Sequence, residues 1–361
     1  MVRVVRLDST WLGCHSSVFG EWTLLTNSIN VAVVGATGAV GEAMISILEQ
    51  RSFPVGKLFP LASERSAGST INFKGKSIRV TRLDEFDFST IDVGFFSAGG
   101  SVSAVFAPKA VSSGCVVVDN TSYFRNDPEI PLVVPEVNAH AMDGHNGIIA
   151  NPNCSTIQMV VALKPIYDAV GISRINIATY QAVSGAGKRA IAELGQQSIE
   201  LLNGRSVSPT IMPKQIAFNV LPHIDEFQEN GYTREEMKMI WETQKILSDD
   251  TICINPTCVR VPVFYGHSEA LHIETREKIT AKAVRDLLQA APGVVVVDKC
   301  EPGGYPTPVS DGADRDGVYV GRIREDISCA QGINMWVVSD NIRKGAALNS
   351  VQIAEHLFKS V

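Results

Sequence analysis

Cys154 lies in Asn151-Pro-Asn-Cys-Ser-Thr, between a short apolar run at 148–150 and a segment whose apolar residues recur at helical spacing. A strand, a turn and a helix in that order put the thiol at a helix N-terminus. The partial positive charge there stabilises a thiolate and makes a nucleophile available near neutral pH. Asn153 can donate its amide to an oxyanion, and the N–H groups of a first helical turn are donors in want of an acceptor. Most cysteines that pack inside proteins act only as small hydrophobes. The polar neighbours at this helix start argue against that fate here.

A second chemical signature precedes it. The apolar run Ile29 to Val34 leads into Gly35-Ala36-Thr37-Gly38-Ala39-Val40-Gly41 and then into Glu42–Gln50, with Met44, Ile47 and Leu48 on one helical face. Strand, glycine loop and helix together let a backbone approach a pyrophosphate with no Cβ in the way and aim helix N–H groups at it. The spacing is G-x-x-G-x-x-G, not the G-x-G-x-x-G of the common fingerprint, and a purely structural glycine turn is the competing explanation; the flanking elements favour a dinucleotide. About 20 residues further on, Glu64 suits ribose hydroxyls, whereas Arg65, with Ser63 and Ser66 on either side, suits a 2′-phosphate. The second arrangement favours NADP. Ser97, Ala98 and Gly99 close another strand at its carboxyl end, the edge where doubly wound sheets hold ligands, so they should face the nicotinamide half. A nicotinamide beside a nucleophilic thiol implies hydride transfer to or from a covalently held acyl group, the logic shared by aldehyde dehydrogenases and acyl-phosphate reductases.

These residues need a scaffold. The chain has 361 residues, 45% of them hydrophobic and only 19% charged, which suffices for about two domains and a large core. A net charge of −6 without a long Lys/Arg block argues against a nucleic-acid or anionic-membrane surface and for a small-molecule partner. The longest stretch without charge, 144–163, contains Asn, Pro and Gln and is no membrane span. Seven isolated cysteines without CxxC pairs indicate a reducing cytoplasm and no structural metal. Residues 1–28 carry Asp8 and Glu21 and lack an apolar core segment, so they read as a leader outside the fold and not as a targeting signal. Runs at Lys57–Ala62, Ile91–Phe96 and Cys115–Asp119 alternate with helices such as Ser101–Ser112, which predicts a parallel sheet of Rossmann type. A second predicted helix covers Lys188–Leu202, and the Pro-bearing stretch Asn203–Asn230 reads as a loop excursion.

Six ordered motifs resemble the aspartate-semialdehyde dehydrogenase family in its bacterial form: Gly35-Ala-Thr-Gly-Ala-Val-Gly, Ser63-Glu-Arg-Ser-Ala-Gly, Asn151-Pro-Asn-Cys-Ser-Thr, Tyr180-Gln-Ala-Val-Ser-Gly-Ala-Gly, Glu242-Thr-Gln-Lys-Ile and Arg260-Val-Pro-Val-Phe-Tyr-Gly-His-Ser-Glu. The resemblance runs from Ile29 to the C-terminus. It implies NADPH-dependent reductive dephosphorylation of L-aspartyl 4-phosphate to L-aspartate 4-semialdehyde, on the way to lysine, threonine and methionine, by a homodimer. It further implies a nucleophile at Cys154, acid–base chemistry at His267 and substrate orientation by Gln181. Arg260 would hold the substrate carboxylate, Glu242 its ammonium, and Arg125, Asn153 and Lys245 its phosphate, with Ser184, Gly185 and Asn341 near the cofactor.

Several of these residues read as ordinary without the resemblance. Glu242 and Lys245, three apart on a helix, would be a surface ion pair. Arg260 and His267 lie seven apart in a strand-like run, where alternation puts them on opposite faces, and Gly266 offers the bend that could correct this. The expected architecture is α/β: a Rossmann-type NADP-binding domain from 29–152 and 341–361, and an α+β catalytic and dimerisation domain from 153–340. Two rivals remain. An N-acetyl-glutamyl-phosphate reductase shares the thioester logic but handles a substrate without a free ammonium, and a non-catalytic relative on the same scaffold would have little reason to keep both Cys154 and His267.

Overall fold

The computed structural model describes residues 28–359, so the expected leader lies outside the described residues apart from Ser28. The chain opens with β1 (Ile29–Val34), α1 (Ala39–Gln50) and β2 (Val55–Ala62). A small hairpin of β3 (Thr70–Phe73) and β4 (Lys76–Arg79) follows, then β5 (Thr81–Arg82), β6 (Val93–Phe96), α2 (Gly100–Ser112), β7 (Val116–Asp119), the single turn α3 (Pro135–Asn138) and β8 (Ile148–Ala150). Strands β5-β2-β1-β6-β7-β8 form one sheet in that order, with every pair parallel. Short, near-continuous apolar runs are what a sheet covered on both faces requires, and β6, Val-Gly-Phe-Phe, is buried throughout.

The chain continues through α4 (Cys154–Val170), β9 (Ile172–Gln181), α5 (Lys188–Leu202), α6 (Arg234–Leu247), β10 (Cys253–Arg260), β11 (His267–Thr275), α7 (Ala281–Ala290), β12 (Val294–Val296), β13 (Val318–Glu325) and β14 (Gly332–Ser339). These strands build a second, mixed sheet in the order β10-β9-β11-β14-β13-β12. The last helix, α8 (Leu348–Lys359), returns to pack on α1. The α/β architecture expected from the sequence is the one observed. One apolar cluster joins α1, α8 and one face of the first sheet, and a larger one runs from the other face through α4 to the second sheet.

Three features of this fold set the site. Gly41 is buried where a Cβ would stand 2.2 Å from the Gly35 carbonyl oxygen, so only glycine lets α1 dock on the loop that precedes it. The excursion expected at 203–230 is gripped by α5: Glu193 accepts the backbone N–H groups of Ile211 and Met212, and Gln197 those of Ile216 and Ala217. The returning segment before α8 is fixed by Lys344, 1% exposed, whose ammonium donates to Glu136 on α3 and to Asn349 and Gln352 on α8. Lys344→Met leaves the Glu136 carboxylate in the interior without the cation it pairs with. It is expected to destabilise the fold by about 3–5 kcal/mol, measurable as a lower midpoint in denaturant; an unchanged midpoint contradicts the buried pair.

Candidate active site

Cys154 is the first residue of α4, with Asn153 as the N-cap. Asn153 Oδ1 accepts the N–H groups of Ser155 and Thr156, the donors that a helix start would otherwise leave free. Its Nδ2 donates to Glu235 at 2.8 Å and its backbone N–H to Glu242 at 2.6 Å. Of the donors expected to serve an oxyanion, the Ser155 and Thr156 N–H groups are thus taken by Asn153 Oδ1, and one hydrogen of the Asn153 amide is committed to Glu235.

The thiol opens into a cavity of about 400 Å³ that is also lined by Asn120, Ser122 and Arg125 from the loop after β7, Gln181 at the end of β9, Ser184 and Gly185 in the turn after it, Glu235 and Lys238 on α6, Arg260 at the end of β10, and Val40 and Asn341 from the cofactor side. The second sheet aligns the polar set. Arg260 pairs in register with Gln181 across β10 and β9, and β11 begins with His267 on the other side of β9. The strand-like run from Arg260 to His267 is in fact two strands and a connection across the end of β9. Gly266, at φ +85°, makes the turn into β11 and donates its N–H to Asn341 Oδ1, which also accepts the Ser184 hydroxyl. Alternation along one strand does not govern the pair, and both converge on Gly185, where a Cβ would lie 3.0 Å from Arg260 Nη1 and 3.4 Å from His267 Nε2.

The electrostatics are specific. Burial pushes the Cys154 thiol up to about 12, with Glu235 adding to the rise and Arg260 and Arg125 opposing it. Desolvation thus works against the thiolate that the helix N-terminus was expected to favour, and it outweighs the helix end. His267 is fully buried, and burial, then Arg260, pull it well below the ordinary imidazole value. Its Nδ1 accepts the Ala182 N–H at 3.0 Å, which places the proton of the neutral ring on Nε2, an atom without a partner among the described residues. Among the described residues the Arg260 guanidinium makes one hydrogen bond, to the Ala182 carbonyl, which leaves its other donors for a fork.

Glu242 and Lys245 do not line the cavity. Glu242 is consumed by Arg125 Nη1 at 3.0 Å and the Asn153 N–H, and Lys245 Nζ donates to the carbonyls of Arg125, Asp127 and Ile130 at 2.5–2.9 Å. The residues that enter are Glu235 and Lys238, with the same three-residue spacing one heptad earlier on α6. Glu235 binds Asn153, Gln181 and Lys238. The sequence carried a signal for them, since the capping box of Thr233 and Glu236 marks where α6 starts. Also unforeseen is the returning segment: a Cβ on Gly345 would stand 2.7 Å from the Cys154 Cβ, so this backbone lies directly against the nucleophile.

The cofactor residues expected from sequence occupy the carboxyl edge of the first sheet. Gly35, Thr37, Gly38 and Ala39 form the turn and first residue of α1, and Ser97, Ala98 and Gly99 the turn before α2. The two turns touch, with a Cβ on Gly35 lying 3.0 Å from the Ala98 nitrogen. This Cβ-free cradle beside a helix start fits a dinucleotide pyrophosphate. Beyond β2, Ser63, Arg65 and Ser66 form a short turn at the same edge. Glu64 there pairs with Arg82 at 3.2 Å, while Arg65 is exposed and makes no hydrogen bond or ion pair among the described residues.

Comparison with known proteins agrees with this geometry. Residues 30–145 match the semialdehyde dehydrogenase NAD binding domain, and residues 163–344 the semialdehyde dehydrogenase dimerisation domain. An aspartate-semialdehyde dehydrogenase of Shewanella violacea is 62% identical over 93% of this chain and 99% of its own length. The crystal structure of aspartate semialdehyde dehydrogenase II from Vibrio cholerae, complexed with ASA, is 58% identical with a TM-score of 0.89, covering 92% of this chain and 98% of that one. The Candida albicans enzyme solved with NADP is 27% identical with a TM-score of 0.71, covering 92% of this chain and 99% of that one. The chain therefore belongs to the aspartate-semialdehyde dehydrogenase family.

Proposed function

We propose that this protein reduces L-aspartyl 4-phosphate to L-aspartate 4-semialdehyde and phosphate with NADPH, through a thioester on Cys154, in the biosynthesis of lysine, threonine and methionine. One observation carries this reading: a thiol at a helix start faces a cavity with Arg125, Lys238 and Arg260 arranged around the carboxylate of Glu235. A substrate bearing phosphate, carboxylate and ammonium needs a cationic cluster, a guanidinium fork and an anion in turn. Arg125 and Lys238 are assigned to the phosphate, Arg260 to the α-carboxylate and Glu235 to the ammonium.

Cys154 sulfur adds to the acyl carbon, the carbon–oxygen bond to phosphate breaks, and the thiol proton departs with the phosphate, giving the thioester. The nicotinamide, when bound at the cradle, supplies the hydride that reduces it. The resulting thiohemiacetal releases the aldehyde and returns the thiol. His267 Nε2–H is the donor available for charge developing on the acyl oxygen. Gln181, whose Nε2 donates to Thr179 and Glu235, holds the carboxylate side of the cavity in place. The ammonium-binding role of Glu235 favours this substrate over an N-acetylated analogue, which has no cation to offer it. The residues are assigned to a homodimer in the cytoplasm; the match to a dimerisation domain and the exposed Tyr180 of the second sheet, 5.4 Å from the half-buried Trp336, support the dimer.

Phosphate-dependent reduction of NADP by the purified protein with L-aspartate 4-semialdehyde tests the reaction. Turnover with N-acetylglutamate semialdehyde in its place would sink it. For the cofactor, the free Arg65 predicts that Arg65→Ala raises KM for NADP by about tenfold to a hundredfold, the worth of one charge-assisted contact, while KM for NAD stays within about twofold. Equal losses for both cofactors would remove the 2′-phosphate assignment.

A further inference from the structure

β11 presents two buried ionisable groups to one face, His267 and Glu269, because residues two apart on a strand point the same way. Glu269 is fully buried, and neither carboxyl oxygen has a hydrogen-bond partner among the described residues. The polar side chain that approaches it is Gln158 of α4, 1% exposed, whose Nε2 and Oε1 are likewise both without partners. Around Glu269, β9 contributes Thr179, its register partner, β14 contributes Val337, and β10 contributes the Cys258 thiol; no lysine or arginine acts on the carboxyl.

Four buried polar atoms on two facing side chains cannot all be satisfied by a carboxylate, which only accepts. One added proton satisfies all four. The acid O–H would then donate to Gln158 Oε1, and Gln158 Nε2–H to the other Glu269 oxygen. Burial without a cation acts in the same sense, holding this carboxyl well above the usual carboxylate range.

We propose that Glu269 is a positioning residue: as a neutral acid it forms a reciprocal acid–amide pair with Gln158 that fixes the helix carrying Cys154 against the strand carrying His267. Gln158 is four residues beyond Cys154 on α4 and Glu269 two beyond His267 on β11, so the clasp lies one step behind each reacting group. The catalytic part of this inference rests on the roles proposed for Cys154 and His267. The protonation part does not.

The proton taken up on folding has a defined signature. Above the ordinary glutamate value of 4.5 the unfolded chain ionises and the folded chain does not, so this group's contribution weakens as pH rises toward the folded value. Three measurements on the full chain test the pair, using E269Q, which keeps a donor and an acceptor, and E269L, which keeps neither. Wild type at pH 7 is expected to show the infrared carbonyl stretch of a protonated buried carboxyl, and E269Q to lack it. The stability of E269Q relative to wild type is expected to increase steadily above pH 4.5. E269L is expected to lose about tenfold in kcat with KM within about twofold, as small misplacements of reacting groups do, and E269Q to recover most of that loss. If E269L does not fold, Gln158→Leu carries the kinetic arm. An absent carboxyl band, or stability curves for wild type and E269Q that stay parallel across pH, would show a carboxylate and overturn the pair. Wild-type kcat in the folded variant that lacks the clasp would overturn its positioning role. Because the infrared and stability readouts involve no turnover, they stand even if the substrate is a different acyl phosphate.

Discussion

Cys154→Ala is expected to fold, to bind NADP with wild-type affinity and to lose phosphate-dependent turnover by a factor on the order of 10⁴ or more, the scale seen when a covalent nucleophile is removed. The loss is large because the cavity offers no substitute. Its other polar side chains are cations, carboxylates, amides and hydroxyls, and Ser155, next along the helix, is fully buried. The same thiol has a second, quieter signature. Pushed up to about 12, it should alkylate slowly near neutral pH when no substrate is added. Glu235 contributes to that rise, so Glu235→Gln should lower the thiol's pKa and speed alkylation at fixed pH, by a factor on the order of ten. A substrate ammonium seated on Glu235 would act in the same direction, coupling recognition of the α-amino group to activation of the nucleophile. Unchanged or slower alkylation in Glu235→Gln would break that coupling, and retained turnover in Cys154→Ala would end the thioester mechanism.

The parts of this site that were legible in the sequence are those set by local backbone chemistry. The glycine loop announced itself because Gly41 must clear the Gly35 carbonyl, and Cys154 because an N-cap asparagine and a helix pattern flank it. Parallel strands could be read because their apolar runs are short, buried and separated by helices. What escaped depends on pairing between distant segments. Arg260 and His267 looked like one strand, since nothing in Val261–Gly266 says that the chain must cross the end of β9 before it pairs again. The acidity of Cys154 was misjudged for a related reason: a helix end is local and visible, whereas burial under Gly345 is supplied by a segment nearly two hundred residues away. Asn153 was given a free amide because its partner, Glu235, lies on another helix.

The choice of cation on α6 gives the second large expected effect. The pattern Glu-x-x-Lys occurs there twice, as Glu235 with Lys238 and as Glu242 with Lys245, seven residues apart. Seven residues are almost two full turns, so both pairs share a face but differ by about 10 Å along the axis. Helical periodicity cannot choose between them; the loop after β7 does. Its carbonyls at Arg125, Asp127 and Ile130 capture Lys245, and Glu242 anchors Arg125, while Lys238 reaches the cavity between Asp225 and Glu235 at 2.7 and 3.1 Å. Lys238→Met is therefore expected to raise KM for phosphate in the oxidative direction by about tenfold to a hundredfold, the loss of one charge-assisted bond to an anion, with a smaller change in KM for the aldehyde. Lys245→Met is expected to leave KM for phosphate within about twofold and to lower stability instead, since three carbonyls lose their common donor and the Arg125 loop loses its anchor. The two variants separate binding from support in one pair of measurements. Were Lys245→Met to carry the phosphate defect while Lys238→Met did not, the anion site would have to be rebuilt around Lys245, and the loop that now encloses it would have to open when substrate binds.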